Sequence, residues 1–139
     1  MHSIISDITT GASLRIFTRE DSVEFVSGIL GVVPTLHYFK GEFHSKRNPR
    51  NPAFEQSVWI FRSELSDSCE LHEHLDWLLH FLESKRDALQ GMRDRITELD
   101  IFCTFASVKG RGSVEIDAVQ LRRLADLNVD LVMDLYPPQ

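Results

Sequence analysis

No apolar run in this 139-residue chain approaches the length of a membrane span. Residues 1–11 lack the charged-then-apolar order of a secretory signal, so the expectation is a cytoplasmic protein. Cysteine is scarce. Cys69 and Cys103 stand alone and far apart, which excludes a disulfide framework and suggests free thiols in a reducing compartment. Basic residues are outnumbered, 15 against 21, and the net charge of −6 argues against a general nucleic-acid binder. Internal repeats and low-complexity segments are missing too. What is left, 42% hydrophobic and 26% charged residues, is ordinary for a globular protein. The length suits one domain, spanning 1–139, with a core that needs neither metal nor disulfide.

The strongest pattern lies in residues 99–137. Leu99, Ile101, Cys103 and Phe105 alternate with Asp100, Phe102, Thr104 and Ala106. Lys109-Gly110-Arg111-Gly112 supplies a turn, and Val114 and Ile116 continue the alternation over 113–117. After a short helix, Val129, Leu131, Met133 and Leu135 alternate with Asp130, Val132, Asp134 and Tyr136. Period-2 patterning of this kind predicts antiparallel strands with one face buried.

Earlier in the chain, residues 1–12 read as a loose arm that adds at most a short extension to a strand over 13–18. Asp21 with Glu24 predicts a capping box, and Phe25, Val26, Ile29 and Leu30 form the stripe of the helix it opens. Gly31 is placed to end that helix in a left-handed conformation. Residues 37–56 form a long basic loop broken by Pro49 and Pro52, readable as a solvated surface loop or as a contact for phosphate or an acidic partner. Val58 and Ile60 opposite Trp59 and Phe61 predict a strand covered on both faces. Asp67 with Glu70 predicts a second capping box, opening a helix to about residue 83 with Leu71, Leu75, Leu78, Leu79 and Leu82 as its stripe. A further helix over about 86–96 would bury Leu89, Met92 and Ile96. Asp117 with Gln120 predicts a third box, and Asn128 the left-handed end of the last helix. The sum is an α+β fold, a mostly antiparallel sheet with helices packed on one face, in the manner of a ferredoxin-like sandwich. The strand-helix-strand pieces at the two ends would be its halves, joined by the middle helices.

Residues with chemistry are few. Cys69, His72, Asp76 and His80 are spaced to share a helix face, and two histidines around a carboxylate are metal-ligand types. The same residues also read as the polar side of an amphipathic helix, and no other element offers a further ligand. Cys103 sits among apolar strand positions, where burial would keep the thiol inert. Lys109–Gly112 lacks the strand-to-helix context of a phosphate loop. With helices on one face, the other would carry Phe17, Phe102, Val132 and Tyr136 beside Arg15, Asp100, Glu115, Asp130 and Asp134. Aromatics among charges are the composition of a docking face. Phe102, Glu115, Asp130, Asp134 and Tyr136 are therefore the candidate partner-binding residues, with the helix acids Glu73, Asp76 and Glu83 as the competing surface. No catalytic residue, metal or cofactor is expected.

Leu30-Gly31 with Pro34-Thr35 and Lys40-Gly41-Glu42, then Val58-Trp59-Ile60, then Asp100-Ile101-Phe102-Cys103 with Gly110, Gly112, Leu121, Leu124-Ala125, Leu127, Val129-Asp130-Leu131, Asp134 and Tyr136, follow one another in an order that resembles a bacterial family, domain of unknown function 4279. The resemblance implies a small α+β domain without known catalytic residues. Small orphan domains of this sort often look like immunity proteins encoded beside secreted toxins. The implied function is a non-catalytic protein that neutralises a cognate, basic toxin by direct binding. The alternative is a small metal-dependent enzyme using His72, Asp76 and His80.

Overall fold

The computed structural model describes residues 8–40 and 56–136, with only the backbone of Tyr136. β1 (Ile8–Thr18) lies at the centre of the sheet and leads into α1 (Val23–Leu30) and the short β2 (Leu36–Tyr38). β3 (Ser57–Arg62), α2 (Leu71–Ser84) and α3 (Arg86–Gly91) follow, then a 3₁₀ turn at Arg93–Arg95. β4 (Ile96–Ser107), α4 (Ala118–Asp126) and β5 (Asp130–Tyr136) complete the chain. The strands are ordered β2-β3-β1-β4-β5. β1 is antiparallel to both β3 and β4, and β2 is antiparallel to β3, while β5 runs parallel to β4. β1-α1-β2 is thus a crossover with β3 inserted between its strands, and β3-α2-β4 is a second with β1 inserted. Two interlocked crossovers make the ferredoxin-like arrangement, to which α4 and β5 add one parallel strand. The α+β expectation holds, but the halves divide differently: the core unit runs from β1 to β4, and the C-terminal piece is an extension of it.

The register explains the core. Leu14 stands opposite Ile101 and Phe61, Ile16 opposite Leu99 and Trp59, and Ala12 opposite Cys103. Their side chains share the face covered by the helices, and all but the half-buried Phe61 are buried. The α2 stripe of Leu71, Leu75, Leu78, Leu79 and Leu82 is buried against them as read from its spacing. Trp59 donates its indole Nε1–H to Ser27 Oγ on α1 at 3.0 Å, which satisfies its polar atom in the core. Asp117 caps α4 through Gln120 N at 2.8 Å, and Gly31 and Asn128 both take the left-handed conformation at their helix ends.

Several local readings shift. The cap of α1 is Ser22, which accepts from Phe25 N, one residue after Asp21. The capping box of α2 is Glu70 with Glu73, because residues 63–70 are held on β1 instead: Ser63 N donates to Ala12 O, and Thr10 N to Asp67 O, both at 3.0 Å. The helix expected over 86–96 splits into α3 and the 3₁₀ turn, so Ile96 opens β4. The first strand reaches back to Ile8, so residues 8–12 are paired with β4 and do not form an arm. Leu36–Tyr38, two of whose residues fall in the expected basic loop, form an edge strand on β3. Of the basic loop, residues 41–55 lie outside the described set.

The largest correction concerns residues 113–117. They form no strand. Gly110 closes a turn onto Ser107 O, but β4 already has β1 on one side and β5 on the other. No edge of β4 is left for a hairpin partner. The segment instead passes to the helix side of the sheet and leads into α4. Alternation also misassigned the direction of β5, because a half-buried strand shows period 2 whichever way its neighbour runs.

Candidate functional site

Among the described residues no helix covers the second face of the sheet; α1, α2 and α4 pack on the first. Arg15 sits near the middle of this open face. Its Nε and Nη2 meet the two carboxylate oxygens of the buried Asp100 at 2.8 and 2.7 Å. The guanidinium also lies 4.3 Å from the ring centre of Phe102 and 5.1 Å from that of Phe17. A bidentate pair between aromatic rings is a rigid, charge-neutral centre. The sequence counted Arg15 and Asp100 as two independent surface charges; in the fold they cancel.

β5 continues this face outward. Asp130 pairs in register with Asp100, Val132 with Phe102, Asp134 with Thr104 and Tyr136 with Ala106. Four of the five candidate positions, Phe102, Asp130, Asp134 and Tyr136, therefore share one face. Phe102 is half-buried beneath Arg15, Asp130 is exposed, and Asp134 is half-buried. No described residue forms an ion pair with either aspartate. Glu115 does not join them. It belongs to the segment on the helix side and lines a cleft of about 580 Å³ with Ile8, Thr10, Cys69, His72 and Gln120.

The competing acidic surface is differently disposed. Arg123 on α4 donates from Nη1 to Asp76 at 2.7 Å, and from Nε and Nη2 to Glu83 at 3.0 and 2.7 Å. Its hydrogen bonds hold the Glu83 carboxyl below the usual range and keep the guanidinium firmly protonated. Glu73 accepts the N–H of Glu70 within the capping box. All three helix acids are engaged inside the fold.

Nor does the expected histidine face converge. His72 pairs with Glu70 at 3.2 Å, Asp76 is held by Arg123, and Cys69 precedes the helix. Among the described residues the one group with three ligand-type atoms within 4.8 Å is Glu70, His72 and Glu73, of which both carboxylates serve the cap. Cys103 is fully buried, and desolvation pushes its thiol up to about 12, which leaves it protonated and inert.

One buried polar residue escaped the sequence reading. His74 lies on the core face of α2 and is 1% exposed, with Nδ1 2.8 Å from Ser63 Oγ. Burial lowers its pKa, so the imidazole is neutral. Spacing alone held the signal, since His74 falls three residues after Leu71 and four before Leu78. Gln120 is similar: it is buried at the cleft and donates to His72 O at 2.8 Å, bracing α4 against α2.

No helix among the described residues is long and apolar enough to cross a membrane. No curated protein and no solved structure matches the chain. A family match does exist, and it spans the central sheet, the helices and β5 together. Over residues 7–138 the chain belongs to the family described as Domain of unknown function (DUF4279).

Proposed function

We propose that this protein is a non-catalytic binding module: an immunity protein that holds a cognate toxin inactive by direct contact, in the cytoplasm of the producing cell. One observation carries the reading. The carboxylates of α2 are engaged by Arg123 and by the helix cap, whereas Asp130 and Asp134 on β5 have no ion-pair partner among the described residues and stand next to Phe102 and Val132. Such acids beside half-buried apolar side chains can steer a basic partner and then exclude water from the contact. The rest of the molecule suits an inhibitor, which needs a rigid frame more than convergent reactive groups. Phe102, Asp130, Asp134 and Tyr136 would form the contact, with Glu115 on the far side and outside it.

Co-expression tests this directly. The protein should restore growth to cells making the toxin encoded in the neighbouring reading frame, and it should co-purify with that toxin in a fixed ratio. Growth rescue without a complex would contradict the reading, because an enzyme could detoxify without lasting contact. Failure of both rescue and complex formation would contradict it as well.

A further inference from the structure

The two edges of the sheet are built differently. β2 at one edge is three residues long. β5 at the other is seven residues long, has no proline or lysine, and no described strand pairs with its outer side. Proteins usually protect a long edge with charge turned inward, a bulge, or a covering loop. Here the apolar side chains stay open: Leu135 is 67% exposed and Met133 37%, and Leu121 on the adjacent α4 is 50% exposed. The edge therefore has two unlike sides. Asp130, Val132 and Asp134 lie on the open face, and Leu131, Met133 and Leu135 on the helix face.

We propose that the outer edge of β5 accepts an extended segment of a partner protein as a sixth strand. The segment has basic residues four apart on one side, opposite Asp130 and Asp134, and apolar residues on the other, against Met133 and Leu135. Backbone hydrogen bonds would supply affinity, and the alternating side chains would supply selectivity. This rests on the protein-binding reading and gives it a mode of contact. Charge favours such a partner over a second copy of this chain. In a two-fold antiparallel pairing of β5 with itself, an axis at Val132 sets Asp130 opposite Asp134, and an axis at Asp134 sets that residue against itself. An axis at Met133 leaves the two copies of Asp134 diagonal neighbours on one face. Like charges at these positions oppose pairing.

The test uses the full chain and a synthetic peptide of the order lysine-valine-threonine-valine-lysine-valine, blocked at both ends. It is titrated to millimolar concentration and followed by backbone amide NMR and hydrogen exchange. The expected result is shifts centred on residues 130–136 and slowed exchange of the outward amides of β5. A scrambled peptide of equal composition should bind several-fold more weakly. So should a peptide N-methylated along its pairing edge, because it keeps the charges but loses the backbone donors. Asp130→Asn with Asp134→Asn should weaken binding several-fold while leaving the rest of the amide spectrum in place. Equal binding of the scrambled or methylated peptide, shifts centred elsewhere, or no shift at all would overturn the proposal. So would a free protein that is already a dimer with β5 amides protected. A toxin complex that forms without protecting β5 sinks the edge mode and leaves the immunity reading standing. Peptide binding with no toxin complex does the reverse.

Discussion

Two acidic regions of this molecule look alike in sequence and are opposites in the fold. On α2, Asp76 and Glu83 are drawn onto Arg123, and Glu73 onto the helix start. On β5, Asp130 and Asp134 meet no described cation. The first set ties α4 to α2, so its charge is spent on the fold. The second set is engaged by nothing among the described residues. Formal charge along a sequence therefore overstates the charge a surface can offer, and the difference is set by which basic residues the topology brings near.

A charge that is both paired and buried should matter most to stability. Asp100→Ala leaves Arg15 without its bidentate partner on the open face. Because Arg15 is only partly exposed, the loss should be about 2–3 kcal/mol in chemical denaturation. A loss below about 0.5 kcal/mol would mean that the pair is solvated and that the open face lacks a rigid centre.

Next in size is the clamp between the helices. Arg123→Ala removes three charge-assisted hydrogen bonds at a partly exposed site and should cost about 1–2 kcal/mol. It should also free Asp76 and Glu83, and so bring α2 closer to β5 in character. This variant should gain affinity for a basic partner, and an unchanged affinity would mean that pairing with Arg123 does not withhold the α2 carboxylates.

A pH dependence follows from the anchor of α2 on the sheet. The pKa of His74 is lowered by burial, so the unfolded chain binds a proton more readily than the folded one. Its contribution to stability is full above the unfolded value of about 6.5 and is lost as pH falls from there toward the folded value. Denaturation midpoints measured across this range should drop toward acid, and His74→Leu should flatten the slope. An unchanged slope would show that another group carries the dependence.

Smallest of all should be the effect on stability of neutralising β5. Asp130→Asn and Asp134→Asn, separately, should stay within about 0.5 kcal/mol of the parent, since neither carboxylate has an ion-pair partner among the described residues.

Much of this fold was legible because local chemistry and global topology agree. The α2 leucine stripe, the alternation of β4, the Asp117 cap and the left-handed ends at Gly31 and Asn128 all read directly from spacing and residue type. Failures occurred where a strand's neighbours mattered. Val114 and Ile116 alternate like a strand, yet β4 had no free edge to offer them. Glu115 was misplaced by the same step, since the face of a residue follows from the pairing of its strand. The direction of β5 was hidden because parallel and antiparallel strands share one side-chain period. At the candidate site, residue positions could be read but their partners could not. Nothing along the chain announces that Arg15 meets Asp100 or that Arg123 takes Asp76 and Glu83, because these pairs join residues 40 to 85 positions apart.

In the proposed function β5, and not α2, meets the partner. Association kinetics with the proposed cognate toxin at low salt separate the two surfaces, using folded Asp130→Ala/Asp134→Ala and folded Asp76→Ala. Loss of the β5 pair should slow association by about tenfold, with the effect shrinking as salt is raised. Asp76→Ala should leave the rate within about twofold of the parent, because its charge already belongs to Arg123. The reverse pattern, with association slowed by Asp76→Ala and untouched by the β5 pair, would place the contact on α2.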